Sequence, residues 1–440
     1  MALSKKPYKG TRDFFPPLQR IQNYMFSQME KTAHSFGYEP YNGPLIEEVA
    51  LYKAKSGEEL INDQIYSFTD RGERFVAIRP EMTPTLARMI ASIHREESKP
   101  IRWFSIPNLM RYEKPQKGRL REHWQFNCDI FGAPERTGEL EIIQVIIELL
   151  EGFGANHEHF EVLLNDRHLV DLVFEKLVEA DKEQTHRLYK IVDKSKKVSS
   201  EALDKMISEV GLTTQGHAIF QEYLKLGNFR DVESFLKKHK APALESLEHF
   251  IKNVEDLNLN QYIVFDPTIV RGLDYYTGLV FEVFDKHPDN RRAICGGGAY
   301  ATLLKIFNEE PVPGVGFGLG DVTLKDFLIT HNLLPNLELP CFDLLNTFQS
   351  DTALVANLSL ARDLRKHGLS VLNQPSPLKM KKAFGLASKK GISLMTLMGD
   401  DEVEKGEVQI KNLETKEQVN LKVTDITAII STIERMQETL

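Results

Sequence analysis

The segment Gly314-Val-Gly-Phe-Gly-Leu-Gly320 carries a glycine at every second residue. Alternate residues of a strand share a face, so this spacing predicts a strand with one face kept bare. A bare face lets a planar ring or another backbone approach closely. The run is not a dinucleotide-binding loop. Five residues after Gly314 stands Leu319, and five after Gly316 stands Asp321, so the G-x-G-x-x-G spacing fails. No glycine in the chain is followed by lysine, which excludes the P-loop nucleotide enzymes. A second glycine cluster, Ala293-Ile-Cys-Gly-Gly-Gly-Ala-Tyr300, reads as entering a helix. Three glycines there are costly in entropy, and close approach by a ligand or helix would explain them.

Composition narrows the classes that remain. A chain of 440 residues suggests roughly two to four domains. Its 42% hydrophobic and 27% charged content can bury a core. The start lacks the apolar run of a signal peptide. The longest apolar stretch, Ile142 to Glu151, is interrupted by Gln144 and Glu148 and predicts an amphipathic helix rather than a membrane span. Cys128, Cys295 and Cys341 show no C-x-x-C spacing, so neither a disulfide framework nor a zinc site is expected, and a cytoplasmic setting is. There is no H-E-x-x-H; His157 and His159 flank Glu158 and read as solvated loop residues. The net charge of −8 means that any nucleic-acid contact must come from local basic clusters.

Along the chain, residues 1–165 mix short strands, such as 74–79 and 101–106, with helices. Residues 166–258 are rich in Leu, Lys and Glu at helical spacing and predict a helical insertion. Strand character returns over 261–327, and 335–340 reads as a linker. Beyond it, strands and helices alternate: a strand from Phe342, a helix to Lys366 N-capped by Asp351 with Gly368 past its end, and then strand 369–372. Helix 378–389, strand 392–398, strand character over 406–423 and a helix over 425–436 follow. This rhythm predicts a small α/β domain.

Four segments concentrate charge, glycine and aromatic residues. Arg79-Pro-Glu-Met-Thr-Pro-Thr85 sets Glu81 and Thr83 on a Pro-flanked turn between a strand and a helix. A helix N-cap is the bland reading of that turn. In 110–129, Arg111, Lys114, Lys117, Arg119 and Arg121 surround Pro115 and Gly118, which predicts a long hairpin with a basic tip suited to phosphates. A solvated loop would account for the lysines. It would not account for Gln125 and Asp129, which share one strand face and need polar partners there. Val270-Arg-Gly-Leu-Asp-Tyr-Tyr-Thr-Gly278 opens a hairpin-like strand pair, and the two glycine runs complete the set.

Together these residues resemble the histidyl-tRNA synthetases, class II aminoacyl-tRNA synthetases, over nearly the whole chain. Lys9-Gly-Thr-Arg-Asp-Phe-Phe-Pro16 is similar to the family's start, and Arg79-Pro-Glu81 to its histidine-binding turn. Arg111-Tyr-Glu-Lys-Pro-Gln-Lys-Gly-Arg119 resembles the motif 2 loop, and Arg271-Gly-Leu-Asp-Tyr-Tyr-Thr-Gly278 the family signature. Gly385–Gly399 and Gln409-Ile-Lys-Asn-Leu413 resemble the anticodon-binding domain. The resemblance implies an α+β catalytic domain, an antiparallel sheet flanked by helices, over 1–165 and 259–330. It further implies a helical insertion over 166–258, a C-terminal α/β anticodon-binding domain over 340–440, and a cytoplasmic homodimer with Pro44 near the interface.

The implied substrates are L-histidine, ATP with Mg2+, and tRNA(His). Arg111 and Arg271 are expected on the α-phosphate and the substrate carboxylate, and Glu113 and Arg119 at the ATP base and γ-phosphate. Glu81, with Met82, Thr83 and Gln125, is expected to hold the ammonium group of histidine, and Asp129, Tyr275 and Tyr276 its imidazole. Gln116 and Arg121 are expected to touch the tRNA acceptor stem. Lys379, Lys381, Lys382, Lys389 and Lys390 could meet anticodon-stem phosphate or could be solvated.

Two departures stand out. Ala299-Tyr300-Ala301 replaces the family's Arg-Tyr-Asp, and Thr323 occupies the place of the motif 3 arginine that usually holds the γ-phosphate end. They point to a second reading, a non-catalytic histidine-binding paralogue that regulates histidine biosynthesis. Such paralogues usually lack the anticodon domain that this chain resembles.

Overall fold

A computed structural model describes residues 3–53, 63–195, 198–270, 276–337 and 342–438. The chain divides into two compact units, Met1–Pro335 and Asn336–Leu440.

The strands of the first unit are, in chain order, β1 (Glu39–Pro40), β2 (Ile46–Glu48), β3 (Tyr66–Thr69), β4 (Phe75–Ile78), β5 (Ile101–Ser105) and β6 (Asn108–Met110). They continue with β7 (Glu122–Phe131), β8 (Phe160–Asp166), β9 (Ile263–Phe265), β10 (Leu279–Asp285), β11 (Ala293–Ala299) and β12 (Gly314–Gly320). The main sheet runs β1-β5-β7-β12-β11-β10-β8-β9, with β6 hydrogen-bonded to β7. It is antiparallel except for its outer pairs, β1 with β5 and β8 with β9. Strands β2, β4 and β3 form a small separate sheet.

Alternation decides what each face does. Phe126, Cys128 and Ile130 of β7, Val315, Phe317 and Leu319 of β12, and Phe281 and Val283 of β10 form one buried apolar face. Three helices share that core: Pro16–Ser35 through Met25 and Met29, Thr137–Gly152 through Ile142, Ile146 and Leu149, and Asp321–Thr330 through Leu324 and Phe327. Fully burying a side chain of this size stabilises by about 1.5–3 kcal/mol, so this layer anchors the sheet whose other face carries the site.

The glycine triplet corrects the sequence reading. Gly296, Gly297 and Gly298 lie inside β11 and do not enter a helix. A Cβ on Gly297 would overlap the backbone oxygen of Gly316 and reach 2.6 Å from Phe281 Cζ. The close approach is therefore made by this chain's own neighbouring strands.

Residues 167–256 are largely helical, and five helices there start on capping side chains, the first, Arg167–Asp171, on Asp166. Asp181 forms a capping box with Gln184, and Ser199, Thr213 and Asn228 each accept from an orphan amide. Leu169, Phe174, Leu188, Phe220, Tyr223 and Phe235 make a core of their own. The last helix, Glu245–Asp256, instead buries Leu247, Phe250 and Val254 in the core of the main sheet. Of the flagged histidines, His157 is exposed, whereas His159 is half-buried with its ring 4.7 Å from that of His331.

In the second unit β13 (Leu344–Phe348), β14 (Val371–Asn373), β15 (Leu394–Met398), β16 (Glu407–Asn412) and β17 (Gln418–Lys422) form one sheet in the order β14-β13-β15-β16-β17. The pairs β13–β14 and β13–β15 are parallel. Helices cover both faces: Leu354–Lys366 and Ile426–Glu438 over Leu344 and Leu394, and Met380–Lys390 over Leu345 and Met395. Asp351 is not a side-chain cap. It begins a 3-10 turn, Asp351–Ala353, ahead of the helix, and Ser350 Oγ instead donates to Asp400 at 2.5 Å. Among the described residues no helix is long and apolar enough to cross a membrane.

Candidate active site

The register of β7, β12, β11 and β10 builds a trough on the open face of the main sheet. Gly320, Gly318, Gly316 and Gly314 stand opposite Gln125, Asn127, Asp129 and Phe131. Gly318 and Gly316 in turn face Gly296 and Gly298, and Gly296 faces Glu282. Two adjacent strands are thus bare in the middle, with polar side chains on β7 at one side and Glu282 at the other.

The bare positions are occupied from the side. A Cβ on Gly318 would lie 2.5 Å from Gln125 Nε2, one on Gly298 2.7 Å from the Tyr276 ring, and one on Gly314 2.6 Å from the Tyr300 ring. A Cβ on Gly316 would overlap the Asp129 carboxylate. Glycine lets these four side chains lie flat across the sheet.

Asp129 is 5% exposed and accepts a hydrogen bond from the Tyr300 hydroxyl. Burial pushes its carboxyl up to about 7, and the Tyr300 bond opposes that shift. Tyr41 lies close enough that the Asp129 charge adds to the burial holding its phenol protonated. Tyr276 is 7% exposed and packs in the same small core as Tyr300. A buried carboxylate among tyrosines is suited to a small polar ring that donates to it.

The turn before helix Thr83–Ile93 adjoins this end. Arg79 is buried and donates to Asn108 O at 3.0 Å, Gly43 O at 2.8 Å and Asn42 Oδ1 at 3.1 Å, which fixes the turn. Glu81 and Met82 are buried, and Thr83 is half-buried. Met82 is the helix N-cap and no side chain caps it, so the capping reading of Glu81 and Thr83 is not what the structure shows. Arg111 Nε donates to Pro80 O at 2.8 Å, which ties this arginine to the turn that carries Glu81.

Toward the other end the trough widens into a cavity of 520 Å³. Arg111, Glu113, Arg119 and Gln125 line one wall, Glu282, Arg291 and Arg292 the other, and Thr323 the end. Arg119 forms an ion pair with the buried carboxylate of Glu113. Burial, with Arg111, Arg12 and Arg119 nearby, pushes His123 down to about 3, so its imidazole is neutral at pH 7. Arg291, Arg292, Glu282, Tyr41 and Tyr300 were missed by the sequence reading. The pair Arg291-Arg292 ahead of the glycine triplet was the one local signal.

Strands β6 and β7 are paired, so 108–131 is a hairpin whose tip is the turn Gln116–Arg119 with Gly118 at φ 73°. Gln116 is exposed there. Arg121 does not accompany it to the tip. Its guanidinium sits 4.0 Å from the Tyr112 ring and donates to Tyr8 OH at 2.8 Å and to Glu113 O at 3.1 Å, bracing the base of the loop. Arg271 and Tyr275 lie outside the described residues.

The chain matches the family model "Histidyl-tRNA synthetase" over residues 10–323 and the model "Anticodon binding domain" over 349–433. It is 40% identical over 429 residues to a protein of Leptospira biflexa named histidine–tRNA ligase, covering 96% of each chain. It is 34% identical to a chloroplastic/mitochondrial histidine–tRNA ligase of Arabidopsis thaliana, covering 96% of this chain and 85% of that one. Among solved structures, it superposes on a histidyl-tRNA synthetase from Nostoc with a TM-score of 0.81 at 22% identity, covering 100% of both chains.

Proposed function

The chain belongs to the histidyl-tRNA synthetase family, and we propose that it ligates L-histidine to tRNA(His) at the expense of ATP. One observation carries this reading: a glycine-floored trough with guanidinium groups on both walls, leading along the same sheet face to a buried carboxylate. In the first step a carboxylate oxygen of histidine attacks the α-phosphorus of ATP. The bond to the β-phosphate bridging oxygen breaks, and pyrophosphate leaves. A ribose hydroxyl of the tRNA then attacks the carbonyl carbon of the histidyl-adenylate and releases AMP.

The roles follow from placement and charge. Arg111, held by Pro80 O, is set to neutralise charge on the α-phosphate and the attacking carboxylate. Arg271 is proposed for the opposite side on its sequence match alone. Glu81 takes the ammonium, with Met82 and Thr83 shaping the turn and Gln125 reaching across Gly318. Asp129, with Tyr276 and Tyr275, reads the imidazole. Buried groups that need a hydrogen-bonding ligand reject analogues lacking those bonds by roughly 10⁴–10⁵. Glu113 and Arg119 pair with each other in this structure, so an ATP bound between them would exchange that pair for contacts to the base and the phosphates.

Magnesium fits as a companion of the phosphates. Glu113 and Glu282 are the carboxylates of the cavity, and no group of three metal-binding side chains stands among the described residues. Such an ion is held largely by phosphate oxygens, with one or two carboxylates, and supplies charge neutralisation when bound. We further infer a homodimer. Leu45 and Ile46, next to Pro44, and Phe68 and Phe75 of the small sheet are 43–50% exposed, and apolar surface of that kind suits a subunit contact.

Exposed Gln116 is proposed to meet the acceptor end. Lys381, Lys382, Lys389 and Lys390 on helix Met380–Lys390, with Lys379 before it, are proposed to meet anticodon-stem phosphate. The setting proposed is cytoplasmic. The regulatory reading is weaker because proteins named histidine–tRNA ligase align with 96% of the chain. Histidine-dependent exchange of pyrophosphate into ATP tests the proposal. Exchange with histidine and no other amino acid is expected; histidine binding without exchange would return the regulatory reading.

A further inference from the structure

The phosphate end of the trough has a threonine where the family resemblance calls for a cation. Thr323 Oγ1 lies 3.1 Å from Ile294 O and 3.2 Å from Gly320 O, so backbone acceptors already engage its hydroxyl. It has no charge to offer. The cation comes from a different element. Arg292 directly precedes β11, and its side chain lines the same cavity as Thr323. A Cβ on Gly118 would lie 2.9 Å from Arg292 Cδ and 3.6 Å from Thr323 Cγ2. Arg292 and Thr323 therefore converge on one point beneath the tip of the basic loop.

Of the other arginines around the cavity, Arg291 is exposed, and in this structure Arg12 pairs with Asp321, Arg119 with Glu113 and Arg111 with Pro80 O. Among the described residues Arg292 makes no hydrogen bond or ion pair. Burial and the adjacent Arg119 both work against its charge, with only Glu113 opposing them. A single carboxylate, Glu113, stands against two neighbouring guanidinium charges, and a polyphosphate with several negative charges removes the remaining repulsion.

We propose that Arg292 binds the terminal phosphates of ATP, doing from the start of β11 what an arginine at position 323 would do from the following helix. The assignment rests on the ligase reading for its substrate. Its chemistry, a guanidinium fork on a polyphosphate, stands independently.

The test uses the full chain with Arg292→Ala and calorimetric binding of ATP, inorganic pyrophosphate, AMP and histidine. Binding of ATP and pyrophosphate should weaken at least about tenfold, the value of one charged hydrogen bond. AMP and histidine affinity should stay within about twofold, because neither reaches that end. Arg292→Lys should keep part of the loss-prone affinity, since a point charge lacks the fork. Arg292→Ala combined with Thr323→Arg should regain it.

Unchanged pyrophosphate affinity in Arg292→Ala overturns the proposal. So does an equal loss for AMP and pyrophosphate, which would mark a general distortion. Should Arg292→Ala not fold, Arg292→Lys carries the same comparison of pyrophosphate with AMP. Arg292-dependent pyrophosphate binding in a parent protein without histidine-dependent exchange would remove the ligase reading and leave this one intact.

Discussion

Asp129 and Gly316 stand directly opposite each other on β7 and β12, and any Cβ at Gly316 would overlap the Asp129 carboxylate. The carboxylate reaches across the sheet because its neighbour has no side chain. Gly316→Ala should therefore displace Asp129, and it also brings a Cβ within 2.8 Å of Cys128 O. A loss of about 1–3 kcal/mol is expected in urea unfolding, together with lost histidine binding in calorimetry. Parent-like histidine affinity would show that Asp129 does not read the imidazole from this position.

Asp129 also makes stability depend on pH. Its folded value, pushed up to about 7, lies above its ordinary value of 3.8, so the folded state holds the proton more tightly than the unfolded one. The contribution is then full below about pH 4 and is lost as pH rises toward 7. Asp129→Asn should remove this slope and gain on the parent by a few kcal/mol between pH 4.5 and pH 8. Urea midpoints of the histidine-free proteins at the two pH values measure it; parallel slopes would contradict the assignment.

Half-buried Arg12 pairs with buried Asp321 at 2.7 Å, and Asp321 also accepts from Trp124 N at 2.9 Å. Asp321 is 1% exposed, so Arg12→Met strands a carboxylate that burial already pushes upward. The expected cost is about 3–5 kcal/mol. Arg12→Met with Asp321→Asn should recover much of it, and thermal melts of both single variants and the double variant decide the point.

Arg121 holds the basic loop by setting its guanidinium over the Tyr112 ring and bonding Tyr8. Lysine keeps the charge but neither the planar guanidinium nor its fork. Arg121→Lys should expose Lys114 and Lys117 to trypsin several-fold faster while the melting temperature of the whole chain stays close to the parent's. Equal cleavage rates would mean the loop is held by other contacts.

Much of this architecture was legible in local pattern. The alternation in 314–320 predicts a strand with a bare face, and β12 has one. The shared face of Gln125 and Asp129 follows from their spacing by four, and both stand over that glycine floor. Gly368, at φ 90°, ends its helix where a left-handed residue was expected. The motif 2 segment forms its hairpin, and strand–helix alternation beyond 342 yields a sheet covered on both faces.

Local pattern failed where a side chain's partner is distant in sequence. The glycine triplet is a strand because β10 and β12 flank it, Asp351 is not a cap because Ser350 turns to Asp400, and Arg121 is a brace because Tyr8 lies beside it. By itself the sequence determined residue type, periodicity and turn chemistry, which set faces, element types and the family. Only the tertiary structure decided which glycine lies beneath which side chain, that Glu113 and Arg119 pair, and that Arg292 shares an end of the cavity with Thr323. Cross-strand register and cavity walls join segments separated by up to hundreds of residues, and a one-residue slip would send every one of those side chains to the opposite face.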